Sequence, residues 1–347
     1  MKRVYLDYNA SAPLRPEARD AMITAMDVAG NPSSVHAEGR AAKGLLERAR
    51  GQLSEALGAD GADIVFTSGA TEAAALALAG RELHGADIEH DAVAAWIAPD
   101  LPVGDNGRVS LIDPTQSCLQ LANSETGIVQ ELPSNLAVSD MTQAFGKLPV
   151  AFNWSGATAA LSSAHKLGGP KGIGALILRR GTDLAAQLRG GGQELGRRAG
   201  TENIIGAVGF AAAAVAAQRD LSDGVWDRVA SLRDLLEEAL VDQAKDTIFV
   251  GKGSKRLPNT LCLATPGWKG ETQVMQMDLA GYAISAGSAC SSGKVRASRV
   301  LKAMGYTDAV AAGAIRVSLG PDTTKQDVMG FADAWLAQHK KHRARAA

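Results

Sequence analysis

Asp63-Ile64-Val65-Phe66-Thr67-Ser68-Gly69-Ala70-Thr71-Glu72 sets the fold: an apolar, β-branched run passes through a small turn with glycine and opens into an alanine-rich helix from Thr71 through Ala79. Strands favour β-branched and aromatic residues, tight turns favour glycine and serine, and helices favour alanine, so each local preference agrees with its neighbour. The alternation recurs, with strands expected at 117–121, 137–139, 159–162 and 174–178, each ending near a polar or glycine-rich turn. Strands that alternate with helices predict an α/β fold whose large domain holds a mainly parallel sheet. Two long helices are expected at 204–219 and 225–243. Beyond them 257–263, 282–285 and 315–319 read as strands of a smaller α+β domain.

At 347 residues the chain exceeds the size at which one hydrophobic core keeps growing, which predicts two domains. The large one is expected over 12–245 and the small one over 1–11 together with 246–347. The formal net charge of −1 gives no reason to expect nucleic acid or membrane as a partner. The stretch His339-Lys340-Lys341-His342-Arg343-Ala344-Arg345 is locally basic and reads as a solvated, frayed helix end. No apolar run of transmembrane length is expected, and Met1-Lys2-Arg3-Val4 leads straight into a strand-like segment rather than a signal-peptide core. A cytoplasmic location is therefore expected. Three cysteines, Cys118, Cys262 and Cys290, form an odd and sparse set that fits a reducing compartment and argues against a disulfide framework.

Open α/β sheets bind ligands at the carboxyl ends of their strands, and the turns there hold the reactive side chains. Ser162-Ser163-Ala164-His165-Lys166-Leu167-Gly168-Gly169-Pro170-Lys171-Gly172 presents Lys166 in a glycine-bounded turn after a small-residue strand, a setting in which an amine meets an aldehyde at a fixed distance. Lys171, beyond the proline, reads as structural. Ala70 and Thr71 open a helix directly after a strand, so their amides and the Thr71 hydroxyl can receive a phosphate at the positive end of the helix dipole. Asp140 ends a strand where its carboxylate can keep a pyridinium nitrogen protonated. Gln143, three residues on, can donate to a phenolate oxygen, and His90 can stack on a ring and carry protons. Taken singly, Thr71 is also an ordinary helix cap, Asp140 a turn aspartate and His90 a core or surface histidine. Together they read as a site for pyridoxal 5'-phosphate, and no metal is expected.

Cys290 lies in Ser285-Ala286-Gly287-Ser288-Ala289-Cys290-Ser291-Ser292-Gly293, which is too rich in glycine and serine to pack and is expected to be a mobile surface loop. A thiol there can swing to a substrate and outward to a partner. Cys118 and Cys262 sit in apolar runs and read as small hydrophobes. Arg316, a charge inside the apolar strand Ala314-Ile315-Arg316-Val317-Ser318-Leu319-Gly320, needs a partner. The carboxylate of an amino acid, gripped by both ends of the guanidinium, would supply one.

With these residues assembled, the chain resembles the cysteine desulfurases, the NifS-like group of class V aminotransferase-fold enzymes, over nearly its whole length. The likeness rests on Tyr5-Leu6-Asp7-Tyr8-Asn9-Ala10, Gly30-Asn31-Pro32-Ser33-Ser34-Val35-His36, Phe66-Thr67-Ser68-Gly69-Ala70-Thr71-Glu72, the His165-Lys166 segment, Gly190-Gly191-Gly192-Gln193-Glu194, Arg198-Ala199-Gly200-Thr201-Glu202-Asn203 and the Cys290 loop. It implies the fold of the PLP-dependent transferases, aspartate aminotransferase-like. In such enzymes the residue matching Lys166 carries the cofactor as an internal aldimine, and those matching Thr71, Ser163 and His165 bind its phosphate. The match to Asp140 pairs with the pyridinium, that to Gln143 with the phenolate oxygen, and that to His90 stacks and transfers protons. The match to Thr201 reaches the neighbouring subunit's phosphate, which implies a homodimer. The implied reaction converts L-cysteine to L-alanine and leaves the sulfur on Cys290 as a persulfide, with Arg316, Asn31, Asn123 and Ser124 contacting substrate. The continuation Ser291-Ser292-Gly293 resembles the branch that serves iron–sulfur assembly, so a sulfur-acceptor or scaffold protein is implied as a partner.

Three departures stand out. Ser124 replaces the second of two expected asparagines, the 80–116 region is shorter than in typical members, and Met141-Thr142 replaces smaller, more apolar residues beside the ring. Selenocysteine lyase activity or another elimination or transamination on the same fold stays open, as does a weakly active, partner-dependent paralogue acting as a binding subunit. Keeping Lys166, Asp140, His90, Arg316 and Cys290 together favours an enzyme, because a scaffold has no use for all five.

Overall fold

The computed structural model describes residues 3–287 and 297–346. Strand β1 (Val4–Tyr5) is followed by helices α1 (Pro16–Met26) and α2 (Ala37–Ala56), strand β2 (Asp63–Thr67), helix α3 (Ala70–Leu78) and the short α4 (Asp91–Ala94). Strands β3 (Leu136–Asp140), β4 (Ala157–Ser163) and β5 (Gly174–Leu178) complete a sheet of order β2-β5-β4-β3. β3 and β4 are parallel, and β5 runs against both of its neighbours. Residues 117–121 extend the sheet beside β3 through a parallel bridge from Cys118 to Val138, and His84 adds a parallel bridge to Ser117. β5 is the exception to a parallel layer. Its link from β4, residues 164–173, is too short to carry a crossover helix, so the chain turns back on itself.

Successive side chains alternate across these strands. Ile64, Phe66, Ala160 and Ile177 pack with α1, α2 and α5 (Ile204–Ser222), whereas Val65, Val138, Leu161 and Leu176 pack with α3. Both faces are covered, which is why these strands read as near-continuous apolar runs. A Cβ at Gly174 would lie 2.7 Å from the Gly69 Cα, so the missing side chain lets β5 pass beneath the turn that opens α3.

α5 corrects the expectation that no apolar run reaches transmembrane length. It has 19 residues with a mean hydropathy of 1.4, enough to cross a membrane by length and composition alone. Here Ala207, Phe210, Ala211 and Ala214 are buried in the core shared with α1 and α2. A helix that is apolar nearly all round suits such a position, and alanines allow close helix approach.

The second unit contains α6 (Val225–Val241), which the expected boundary at 245 leaves in the large domain but whose Trp226, Val229, Leu236 and Leu240 pack in this unit's core, together with β6 (Ile248–Val250), β7 (Thr260–Ala264), α7 (Gly270–Leu279), β8 (Tyr282–Ala283), β9 (Ser285–Ala286), α8 (Arg299–Ala303), α9 (Asp308–Ala312), β10 (Ala314–Ser318) and α10 (Lys325–Ala346). Its antiparallel sheet has the order β6-β7-β10-β9. Leu261, Leu263, Ile315 and Val317 pack there with Trp226 and Leu236 of α6 and with Phe331 and Trp335 of α10. The first residues of the chain join this unit, since β1 pairs with β8 and Leu6 lies in the same core. The basic tail is less solvated than its charge suggests. His339 is buried, meets Asp246 at 2.9 Å and stacks on Trp335, and Arg343 pairs with the same aspartate at 2.6 Å. In the 80–116 region, Leu101, Val103, Val109 and Leu111 pack with Ile128 and Met304, which anchors this segment on the second unit.

Candidate active site

Lys166 stands in a single 3₁₀ turn, Ala164–Lys166, directly after β4. Gly168 has φ +91°, and a Cβ there would come within 2.6 Å of the Arg15 side chain, so the turn needs glycine both for its backbone and for the close approach. The Ala12 amide donates to the His165 carbonyl at 2.8 Å and the Arg15 amide to the Gly168 carbonyl at 2.9 Å, which straps the N-terminal segment over the turn. Lys166 Nζ donates to the carbonyls of Asn9 at 2.7 Å and Ala10 at 2.9 Å.

A cavity of about 580 Å³ opens at the carboxyl edge of the first sheet, a size that suits a small organic ligand. Of the expected residues, Lys166, His90, Ala70, Thr71, Asp140, Gln143, Ser163, His165 and Ser124 line it. Thr71 follows β2 and Asp140 ends β3, at opposite edges of the four strands, so three strand spacings of roughly 14 Å separate these positions along the sheet. Ser163 and Lys166 follow β4 between them. Lys171, expected to be structural, also lines the cavity, as do Ser68 and Gly69.

Burial, reinforced by the charges of Lys166 and Lys171, pushes the His165 imidazole down to about 4, so it is neutral near pH 7. His90 caps α4, its Nδ1 accepting from the Ala92 amide at 3.1 Å, so a neutral ring carries its proton on Nε2. The Asp140 Oδ1 accepts from the Thr142 amide at 2.9 Å, which fixes the carboxylate at the strand end. Behind it Glu89 is fully buried and its carboxyl is pushed up to about 8, chiefly by burial. One Glu89 oxygen accepts from the Gln120 amide at 2.8 Å and the other has no partner among the described residues.

The other expected residues lie elsewhere. Arg316 is buried on β10 and does not line the cavity; its Nη2 pairs with Asp7 at 2.8 Å and its Nη1 donates to the Ser124 carbonyl at 2.9 Å. The partner that its strand environment demands is thus a carboxylate of the chain itself. Asn123 is buried and occupied: Nδ2 donates to the Ile88 carbonyl, and Oδ1 accepts from the amides of Glu125 and Thr126. It shapes the loop that presents Ser124. Asn31 is exposed, its Oδ1 accepting from the Ser33 amide, and Thr201 is exposed as well. Neither lines the cavity. Cys290 lies outside the described residues. Cys118 and Cys262 are buried, and burial raises both thiols above their ordinary range, in keeping with a packing role.

Two residues with no expected role occupy the floor of the site. Asn9 is fully buried; its carbonyl accepts from Lys166 and from Gln143 Nε2, and its side chain bonds Thr260 Oγ1 at 2.8 Å and Asn259 Nδ2 at 3.0 Å on the second unit. Lys147, 3% exposed, donates from Nζ to Gln143 Oε1 at 2.6 Å. Its position four residues after Gln143 in an otherwise apolar stretch, Ala144-Phe145-Gly146-Lys147-Leu148, is the signal available in the sequence.

The donor set suits pyridoxal 5'-phosphate. Hydroxyls of Thr71 and Ser163 with the amides that open α3 form an anion cradle, an amine stands midway, and a carboxylate and an amide stand beyond it.

Residues 4–95 and 114–331 match the family described as aminotransferase class-V. The chain is 38% identical to a cysteine desulfurase of Cereibacter sphaeroides, over 94% of this chain and 93% of that protein. It is 34% identical to the cysteine desulfurase IscS of Dictyoglomus turgidum, over 94% and 92%. Among solved structures, a NifS-like protein from Rickettsia africae superposes with a TM-score of 0.87 at 27% identity, covering 97% of this chain and 99% of that one.

Proposed function

The chain belongs to the class-V aminotransferase family and, within it, to the cysteine desulfurases, and on that premise we propose that it converts L-cysteine to L-alanine and transfers the sulfur to Cys290 as a persulfide. The observation that carries this reading is the convergence of Lys166, Asp140, Gln143, His90 and Thr71 on one cavity. Pyridoxal 5'-phosphate, when bound, supplies an electron sink for charge developing at the substrate Cα.

The chain's own residues do the rest. Lys166 Nζ would hold the cofactor and would take the proton from the substrate Cα. Thr71, Ser163, the neutral His165 and the amides at Ala70 hold the phosphate. Asp140 would keep the ring nitrogen protonated, Gln143 Nε2 would donate to the phenolate oxygen, and His90 would face the ring and move a proton through Nε2. Arg316 keeps its ion pair with Asp7 and its bond to the carbonyl of Ser124, which lines the cavity, and would meet the substrate carboxylate through an N–H that it does not spend on those two partners. Ser124 bounds the substrate end of the cavity. The substrate C–S bond breaks as the Cys290 sulfur bonds to the substrate sulfur, and the two hydrogens on the reacting thiols end on alanine and on the persulfide. A cytoplasmic homodimer, with Thr201 reaching the neighbouring subunit's phosphate, and delivery of the persulfide to an acceptor or iron–sulfur scaffold protein belong to the same proposal.

The test is alanine and sulfide formation from L-cysteine and a reductant by the purified protein, alongside Lys166→Ala. The variant is expected to lose both products and covalent attachment of the cofactor. Borohydride reduction that places the cofactor on Lys171 would show the assignment to be wrong.

A further inference from the structure

Lys147 is a buried amine to which the reaction assigns no task. It makes no ion pair among the described residues. Its Nζ donates to two neutral acceptors, Gln143 Oε1 at 2.6 Å and Asn9 Oδ1 at 3.3 Å. Burial, then the charges of Lys166 and Arg316, lower its pKa well below the ordinary lysine value. Burying an amine without a carboxylate is unfavourable, and an apolar side chain of similar length would fill the same space.

The two ends of a glutamine amide have nearly the same shape, so a pocket selects one orientation only through the groups that face it. As an ammonium, Lys147 Nζ carries three hydrogens and no lone pair, so it faces both acceptors as a donor only. The polarity of this contact is set from a distance. The Leu319 carbonyl accepts only, which orients Asn259 Nδ2 toward it at 3.0 Å and leaves Asn259 Oδ1 to accept from Thr260 Oγ1. Thr260 Oγ1 therefore accepts from Asn9 Nδ2 at 2.8 Å, and Asn9 Oδ1 is turned toward Lys147. Gln143 Oε1 faces the same nitrogen, so Gln143 Nε2 points the other way. It spends one hydrogen on the Asn9 carbonyl at 2.9 Å and has a second available in the cavity that Gln143 lines.

We propose that Lys147 is a positioning residue that fixes the Gln143 amide with its N–H toward the cofactor's phenolate oxygen, and that it relays to the cofactor site the polarity of a hydrogen-bond chain rooted in the second unit. The proposal rests on the pyridoxal phosphate reading of the cavity. It requires the donor-only character of the lysine head, because a side chain that can also accept would allow the amide to turn over and present its oxygen to an anionic ring oxygen.

The experiment loads wild type, Lys147→Met, Gln143→Leu and the double variant with pyridoxal 5'-phosphate, then records the visible absorption band of bound cofactor and the rate of cofactor loss on dialysis. Lys147→Met is expected to move the band in the same direction as Gln143→Leu and to release cofactor roughly ten-fold faster, the scale of one lost hydrogen bond to a charged group. In the double variant the second substitution should add nothing. An unmoved band in Lys147→Met, or fully additive effects in the double variant, overturns the proposal. If Lys147→Met does not fold, Lys147→Gln supplies the reading, because its amide can donate or accept and no longer dictates the orientation: a wild-type band there is the overturning result and a shifted band the supporting one. A wild-type chain that takes up no cofactor removes the functional reading and this inference together, whereas a wild-type band that the variants leave in place removes only the inference.

Discussion

Glu89→Gln should make the protein more stable at neutral pH and flatten part of its pH dependence. The Glu89 carboxyl is fully buried, and burial raises its pKa from 4.5 to about 8. A carboxyl raised in the folded state holds a proton that the unfolded chain releases. Its stability contribution is therefore complete below pH 4.5, declines as pH rises from 4.5 through about 8, and is level above that. At about 1.4 kcal/mol per pH unit, holding the proton at pH 7 costs about 3 kcal/mol. Glutamine keeps an oxygen for the Gln120 amide, now bonded at 2.8 Å, and places an NH₂ where the other carboxyl oxygen has no partner among the described residues. Little hydrogen bonding is lost, and most of the penalty is removed. Urea unfolding of wild type and variant at steps from pH 5 to pH 9, with cofactor at a fixed excess, reads the difference directly. The gap should be near zero at the acid end and should grow to about 3 kcal/mol at pH 7. A residual slope should persist in the variant, because Glu125, bonded to Ser298 and raised to about 7 chiefly by burial, titrates in the same direction. A variant less stable than wild type at pH 7, or a gap that does not change with pH, would refute the reasoning.

Cys290→Ser should leave cofactor binding intact and abolish sulfide release, with mass spectrometry of the wild type locating the extra sulfur on Cys290; a persulfide on buried Cys118 or Cys262 instead would contradict both burial and assignment. Ser124→Asn restores an amide at the cavity wall, and one added hydrogen bond to the substrate should raise alanine formation roughly two- to ten-fold. An unassisted rate that falls in this variant would mark the serine as an adaptation. Arg316→Leu removes the partner of Asp7 and should destabilise the fold by about 3–5 kcal/mol as well as raise the KM for L-cysteine. An unchanged KM, measured where the variant is fully folded, would exclude Arg316 from substrate binding.

Much of the fold is legible in the sequence because strands, turns and helices are written in short windows. The run from Asp63 to Ala79 carries its strand, its glycine turn and its helix within seventeen positions, and Lys166, Asp140 and Thr71 follow strand ends that the same local pattern locates. The reversal of β5 is also local in origin, since ten residues cannot make a crossover, yet the strand pattern does not reveal it because apolar runs carry no direction. α5 shows a related limit: its alanines state that it is apolar, and only the helices around it show that it is a core element.

The sequence by itself determined which chemistry the chain can perform, by placing an amine, a carboxylate, an imidazole and a phosphate-binding helix start at the ends of strands. The tertiary structure decided which of those groups face one another. Asp7 meets Arg316 from 309 positions away, Asn9 joins Lys166 to Thr260 across both units, and Lys147, which donates to Gln143 four positions before it, also meets Asn9 from 138 positions away. Such contacts depend on how two separately formed layers pack. A residue's neighbours along the chain set its backbone, but its charge state and hydrogen-bond direction are set by whatever the packing brings against it.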